Sequence, residues 1–447
     1  MRIKTIAGFV VLAQAFALGQ GAAPSVPRRL NLHEAVELAL KHNHVVRIAS
    51  LHVDEERHAK EVARSDYFPV IRNDSTFIHV TDTQNIEIPA GSIGVVGSQL
   101  LPAQNLILNQ GARTFETSGT GLTQPITQLF KIKAANDVAR AQMEASRAKA
   151  SGTENNVALK VRQLFYKVLV IQSQLLAIQA KIRAVEDLRG ERVQQVKYGS
   201  TLESDLIETR AQSLQAKQEL LTSELQLSDL RMQFNDAVGL PINAEVTLDP
   251  EVPAAAEGCE REQCVKRALD SHPEVREARA ILEKAFAASR AAKRDYIPDL
   301  EAFARYSYQN NVPFLARNFG TFGVHFSYDL FNGGKKRATL HERDAQVAQA
   351  KENLERVSDE VELKVETAYN RLQRTQQMVS VSEELLAARK EARRVSAQQV
   401  ERGASLRSQA EATAAQEFEA QTLFLQSQLE YAEAQDGLIE AIGQTPR

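Results

Sequence analysis

The apolar residues of this chain change period along its length, and each change predicts an element. Over 161–185 they fall at Val161, Leu164, Val168, Ile171, Leu175, Ile178, Ile182 and Val185, in alternating steps of three and four. That is a heptad seam, the pattern of coiled-coil helix packing. A weaker seam runs through Val357, Val361, Val365, Ala368, Leu372, Val379 and Leu386. No proline lies between Pro125 and Pro241 or between Pro313 and Pro446. Proline breaks helix interiors, so both stretches read as helical hairpins. The expected long helices, 131–198 and 335–402, would each span about 100 Å. The shorter ones, 33–66, 201–238, 262–295 and 405–442, would each span about 50–57 Å. Two short helices end to end match one long helix, which predicts a rod with that arrangement twice per chain. Gly152, inside the first long helix, is a candidate kink.

Elsewhere the period falls to two. Leu300, Ala302, Ala304, Tyr306 and Tyr308 share one face of 299–309, and Phe322, Val324, Phe326, Tyr328 and Leu330 one face of 320–330. Alternation of this kind predicts strands. Their length, with aromatics toward the ends, suits a transmembrane barrel. A first pair, about 70–80 and 114–126, alternates poorly: Asn73, Ser75, Thr120 and Gln124 fall on the face that should be apolar. Four strands cannot close a barrel in lipid, where every backbone group needs a partner. Copies of the chain must therefore combine, and a trimer would supply twelve strands.

The pattern is written twice. Residues 32–77 lie on 261–306 without a gap, with Asp66-Tyr67-Phe68-Pro69 on Asp295-Tyr296-Ile297-Pro298. Residues 119–240 lie on 323–444, with Gly199, Leu202 and Gly239 on Gly403, Leu406 and Gly443. The first copy carries an insertion between 78 and 118. Internal duplication sets the expected organisation: a signal peptide at 1–23, a first repeat at 24–240, a linker at 241–260 and a second repeat at 261–447.

Composition changes the picture less than pattern does. The chain has 54 basic and 57 acidic residues among 447, a net charge of −3. It has no positive excess to neutralise phosphates, which argues against nucleic acid as a partner. No mature segment has 18 uninterrupted apolar residues, which argues against a helical membrane protein. Mean hydropathy of −0.32 looks soluble. It is also compatible with a barrel, where only alternate residues are apolar. At the N-terminus Arg2 and Lys4 precede an apolar stretch from Ile6 to Leu18 and the small-x-small site Ala15-Phe16-Ala17. That reads as a secretory signal peptide, and no Cys follows it to carry a lipid anchor. Export places Cys259 and Cys264 in an oxidising compartment. A local disulfide and two unpaired small residues are both open readings.

With the signal peptide, the duplicated Asp-Tyr-x-Pro, the long paired helices and Leu330-Phe331-Asn332-Gly333-Gly334, the sequence resembles the outer membrane efflux protein family, the TolC-like channel-tunnels. The opening LNLHEAVELALKHN and the AL-x-x-HPEV at 268–275 belong to the same resemblance. It implies a mainly α protein with a small β part. Duplicated hairpins would form an α-barrel tunnel, and four strands per chain a trimeric twelve-stranded β-barrel in outer membrane lipid. It implies a homotrimer that meets a periplasmic adaptor (membrane fusion) protein and an inner-membrane pump of RND, ABC or MFS type. The implied role is a passive exit duct for efflux or type I secretion, with no cofactor and no catalysis. A soluble periplasmic coiled-coil adaptor is the alternative; it shares the hairpins but has no use for alternating aromatic strands.

The candidate sites lie at the hairpin tips. Gly199, Ser200, Leu202, Gly403, Ser405 and Leu406 would form adaptor-docking tips, against the plainer reading of turn geometry with a hydrophobic cap. Family members often narrow the tunnel entrance with acidic residues from these tips. Asp205, Glu208 and Glu411 are the candidates here, but Gln409 stands where an Asp is common. Asn43-His44 likewise replaces the usual Asn-Pro. Gly333-Gly334-Lys335-Lys336 lacks the spacing of a phosphate loop. His42, His44, His52 and His58 read as a solvated helical face rather than a metal site. The segment 81–113 would face the exterior, as a barrel plug, a docking site for outside partners or an ordinary loop. No catalytic constellation is present in the sequence.

Overall fold

The computed structural model describes residues 28–82, 85–109, 112–250, 259–312 and 316–446; the expected signal peptide and part of the expected linker lie outside them. In chain order the elements are β1 (Arg28–Leu30), α1 (Leu32–His42), α2 (His44–Ser65), β2 (Val70–His79), β3 (Asn85–Ile88), β4 (Gly94–Val96), β5 (Gln99–Leu101), β6 (Leu106–Asn109) and β7 (Thr114–Pro125). There follow α3 (Leu129–Lys197), α4 (Glu203–Val238), β8 (Val246–Leu248), α5 (Arg261–Ser271), α6 (Pro273–Arg294), β9 (Asp299–Asn310), β10 (Asn318–Ser327), α7 (Lys335–Glu401) and α8 (Arg407–Ala441). The protein is mainly helical with a smaller strand part, and helices and strands lie close to the expected positions. Contacts divide it into two compact units, one containing 161–253 and 385–426, the other 40–160, 254–384 and 427–447.

Three expectations need correction. The helices expected over 33–66 and 262–295 are each broken once, after His42 and after Ser271. The residues at the breaks are caps. Asn43 Oδ1 accepts from the Val45 N–H at 2.8 Å, and His272 Nδ1 accepts from the Glu274 N–H at 3.2 Å. A capping side chain satisfies a donor left free at a helix start. The second correction is at 81–113, which holds two β-ribbons, β3·β6 and β4·β5, rather than an unstructured loop. The third is Gly152, where α3 stays helical. A Cβ there would lie 3.3 Å from Pro273 Cβ, so the glycine serves a close approach of α3 to the start of α6. The short parallel pair β1·β8 was not legible in the sequence. The last strand also ends at Ser327, earlier than expected.

In the first unit, hydrogen bonds run from α4 to α3, from α3 to α8 and from α7 to α8. Glu186 on α3 accepts from Ser213 Oγ (2.7 Å) and Lys217 Nζ (2.8 Å) on α4. Ser173 and Thr422 hydroxyls pair α3 with α8 at 3.1 Å. Arg389 donates to Gln416 and Arg393 to Glu417, pairing α7 with α8. The order is therefore α4-α3-α8-α7. Val161, Leu164, Phe165, Tyr166, Val168 and Leu169 are all buried, and Phe165 meets Phe234 of α4 at 6.2 Å between centroids. By length and composition α3 passes as a membrane-crossing helix, and a third of its most apolar window is buried inside the protein.

The second unit has the corresponding row, with α3 bonded to α2 through Gln142 and Glu56, to α6 through Lys284 and Gln142, and α6 to α7 through Ser289 and Asp344. Its core packs Cys264, Ala268 and Val275 against Val357, Val361 and Val365 of α7 and Leu438 of α8. Cys259 and Cys264 form a disulfide across a Cα separation of 5.7 Å, which decides between the two open readings. The unit also holds a four-stranded antiparallel sheet in the order β10-β9-β7-β2. Register places Ile71, Leu122, Ala304 and Phe322 across one face. Arg72, Gly121, Arg305 and Thr321 cross the other. The misplaced polar residues of β2 and β7 satisfy one another: Asn73 donates to Ser118 and Thr120, and Ser75 pairs with Asn73 and Ser118. Paired polar groups are tolerated on an apolar face because none is left without a partner.

His272 is 2% exposed, and its Nε2 has no hydrogen-bond partner. Burial lowers its pKa, more than Glu274 raises it, and Lys364 lowers it further. A histidine depressed in the folded state stabilises the fold above its unfolded pKa, about 6.5. That contribution is lost as pH falls from there toward the folded value. Protonation would also remove the cap acceptor and put a cation at a helix N-terminus. His272→Asn, which copies Asn43, is therefore expected to flatten the loss of stability below about pH 6.5. Thermal melts of the two proteins across pH 4.5–8, set around that value, measure the difference. Parallel pH profiles would contradict the assignment.

Candidate functional site: the hairpin tips and the open flanks

Both hairpins turn the same way. At the α3 end the Gly199 N–H donates to Val196 O (3.0 Å) and the Ser200 N–H to Gln195 O (2.9 Å). At the α7 end the Gly403 N–H donates to Val400 O (2.9 Å) and the Ala404 N–H to Gln399 O (2.8 Å). These are Schellman caps, which need a residue at positive φ, and both glycines have φ of 69°. A Cβ on either would meet open space, so conformation alone requires glycine here. Leu202 is 71% exposed and Leu406 57%. Tyr198 is exposed beside them. The tips thus carry unpaired apolar side chains on small turns.

The two tips differ in how they are held. Thr201 Oγ1 donates to Asp205 at 2.7 Å, so this candidate entrance acid is engaged in its own turn. Glu208 accepts from Gln212 on the same helix. The second tip is fastened to α3 instead. Glu191 accepts from the Ser408 N–H at 2.9 Å and also from the Ser408 hydroxyl. Arg407 pairs with Asp187 at 3.3 Å. A carboxylate at the start of α8 suits its dipole and satisfies a free donor. Glu191 and Asp187 escaped sequence reasoning; their four-residue spacing on α3 was the available signal.

The flanks are the second feature. Besides its inward seam through Thr209, Ser213, Ala216, Ser223 and Phe234, α4 presents exposed Ile207, Leu214, Leu221, Leu225 and Met232. These too follow heptad spacing. At the other end of the row the α7 stretch of this unit presents Leu385 and Val395, also exposed. Along α4 the exposed residues form a second, unpartnered seam, and α7 carries exposed apolar residues at the opposite end of the row. The sheet has the same property, because β2 and β10 are its edges.

Other candidates resolve locally. His52 pairs with Glu55 and Glu56, and His58 with Glu61, on an exposed face. Among the described residues no group of three or more His, Cys, Asp or Glu is placed to hold a metal. Gly333 and Gly334, at φ of 65° and 82°, turn the chain into α7, whose first donors go to Asn332 O and Gly334 O.

Residues 264–444 match the family model described as outer membrane efflux protein. The matched stretch runs from α5 to just past the end of α8. No curated protein sequence matches the chain. Among solved structures it is similar to the outer membrane protein VceC of Vibrio cholerae, with a TM-score of 0.72 at 13% identity, covering 92% of this chain and 96% of that one. It is similar to the CmeC outer membrane channel of Campylobacter jejuni, with a TM-score of 0.75 at 12% identity over 92% and 85%. The MtrE outer membrane channel of Neisseria gonorrhoeae, in its open state, gives 0.70 at 16% over 93% and 89%. The fold is thus that of the TolC-like channels.

Glu191→Ala would leave the first donors of α8 without their acceptor. The expected cost is about 1 kcal/mol at that helix start. Amide exchange over 404–412 should accelerate accordingly, while exchange over 200–208 stays as it was. Equal acceleration at both tips would show that the tie to α3 is not what holds the second one.

Proposed function

We propose that this protein is the outer-membrane exit duct of a tripartite efflux or type I secretion assembly. It would be a passive channel-tunnel receiving substrate from a periplasmic adaptor and an inner-membrane pump. The observation that carries this reading is the pair of open flanks shared by sheet and helices. An exposed strand edge in lipid leaves backbone groups without partners, at several kcal/mol each. A helix with two heptad seams is built for a neighbour on each side. Identical copies supply both at once, α4 against a neighbour's α7 and β2 against a neighbour's β10.

The number of copies follows from the bore. Two copies would give an eight-stranded barrel, whose interior side chains nearly fill. Three give twelve strands and room for a water-filled passage, consistent with the homotrimer that the family resemblance implies. The apolar sheet face would meet outer membrane lipid, and the face bearing Arg72, Arg305 and Thr321 the lumen. Residues 1–23 would direct export and be removed. The repeats 24–240 and 261–447 would each give one hairpin and one strand pair, with 241–260 between them. Gly199, Ser200, Leu202, Gly403, Ser405 and Leu406 would present the periplasmic tips to the adaptor. Asp205, Glu208 and Glu411 are candidates to narrow the entrance. A soluble coiled-coil adaptor would leave the aromatic sheet face without a purpose.

Leu221→Ala removes a side chain from the proposed seam between copies. Truncating a buried leucine costs about 2–5 kcal/mol. The oligomer on unheated gels should dissociate at lower temperature than wild type, while far-ultraviolet circular dichroism stays unchanged. The detergent-extracted wild type should be a trimer that forms discrete conducting pores in planar bilayers. Recovery as a soluble periplasmic monomer would sink the reading.

A further inference from the structure

The insertion between β2 and β7 is unlike the rest of the chain. In β3·β6, Ile86 pairs with Leu108 and Ile88 with Leu106, so one face is wholly apolar. Beyond it Val95 pairs with Leu100 in β4·β5, and both are exposed. Between 85 and 109 the only charged residue is Glu87. Its carboxylate accepts from Asn105 at 2.8 Å, and Asn105 in turn accepts from the Ala90 N–H at 2.9 Å. The acid is thus tied into the ribbon's own turn. On that face Ile86 and Leu106 are exposed and Ile88 and Leu108 half-buried; an isolated two-stranded ribbon is marginal in water, and an apolar patch open to solvent marks a contact surface. Neither edge carries the lysines or in-strand prolines that block strand association.

Two features choose the occupant. Segments that rest in lipid use aromatic girdles and basic anchors, yet 85–109 contains no Phe, Tyr, Trp, Lys or Arg. Its root is continuous with the sheet edge: β2 is an outer strand, and the Val80 N–H still donates to Arg113 O at 2.8 Å beyond the last strand pair. Under the three-copy reading, on which this inference rests, that edge is the seam with a neighbour. Each copy then lifts one ribbon from the seam, at the sheet end remote from α2 and α3.

We propose that the ribbons 85–109 of neighbouring copies pack apolar face to apolar face, making a homotypic cap over the outer mouth of the duct. The Ile86, Ile88, Leu106 and Leu108 face is the contact. The exit then has a closure of its own, independent of the tips.

Single cysteines test the contact, since Cys259 and Cys264 are already joined. Ile86→Cys and Leu108→Cys, oxidised with copper phenanthroline in outer-membrane preparations, should give a cross-linked dimer on heated non-reducing gels. Glu87→Cys, on the opposite face, should not. A trimer on unheated gels without cross-links at either site would overturn the proposal and leave the channel reading standing. Equal cross-linking at Glu87→Cys would overturn it too. Absence of any trimer in the wild type would remove both readings. Replacing 85–109 with Gly-Ser-Gly should raise single-channel conductance; an unchanged conductance would overturn the cap.

Discussion

An unpaired edge is the constraint on which the rest of this structure depends. Backbone donors and acceptors in lipid have no water to turn to, and an apolar helical stripe in water draws a partner. In the proposed duct both problems would occur together and in the same form. The sheet ends in β2 and β10, and the helical row of the first unit ends in α4 and α7. Four elements in a row cannot cover their own ends. A single chain therefore leaves both rows open at their ends, and under the proposed reading association of copies belongs to the folding energetics.

Duplication makes such a row economical to specify. The caps show how closely the two repeats follow one rule. Asn43 and His272 occupy the same joint and accept the same kind of hydrogen bond. Gly239 and Gly443 end α4 and α8 as Gly199 and Gly403 end α3 and α7, all at positive φ. Divergence is also informative. A Cβ on Gly443 would lie 2.6 Å from His272 Cα, so that glycine is required by packing as well as by conformation, whereas the tip glycines face open space. The second repeat's closing turn has become part of the core around its own joint.

Much of this was legible because the controlling signals are local and periodic. Heptad spacing, proline-free stretches and period-two runs fix element type over short windows, and the Gly-centred turns place the hairpin ends. What was not legible depends on partners distant in sequence. The break at His272 needs the knowledge that a histidine accepts a cap bond. The tie of Ser408 to Glu191 joins residues 217 apart. Asn73, Ser75 and Thr120 looked wrong for an apolar face because their register, which pairs their polar groups, is not written in either strand alone. The ribbons at 85–109 were read as loop because their strands are three or four residues long, too short to show a period.

The two ends of the proposed duct are built on opposite principles. At the tips the apolar residues are few and sit on tight turns, and one tip is fastened to α3 by carboxylates. Polar ties of this kind are exchangeable, since water or a partner can replace each hydrogen bond at little net cost. A surface that must accept an adaptor and move is well served by them. The sheet and the second seam of α4 are apolar, and separating them would expose them to water with nothing in return. In the proposed duct, association of copies would thus be the permanent contact and docking at the tips the adjustable one. The ribbon above the sheet follows the permanent pattern, being apolar and nearly without charge. That is the chemistry of a surface meant to find its own copy.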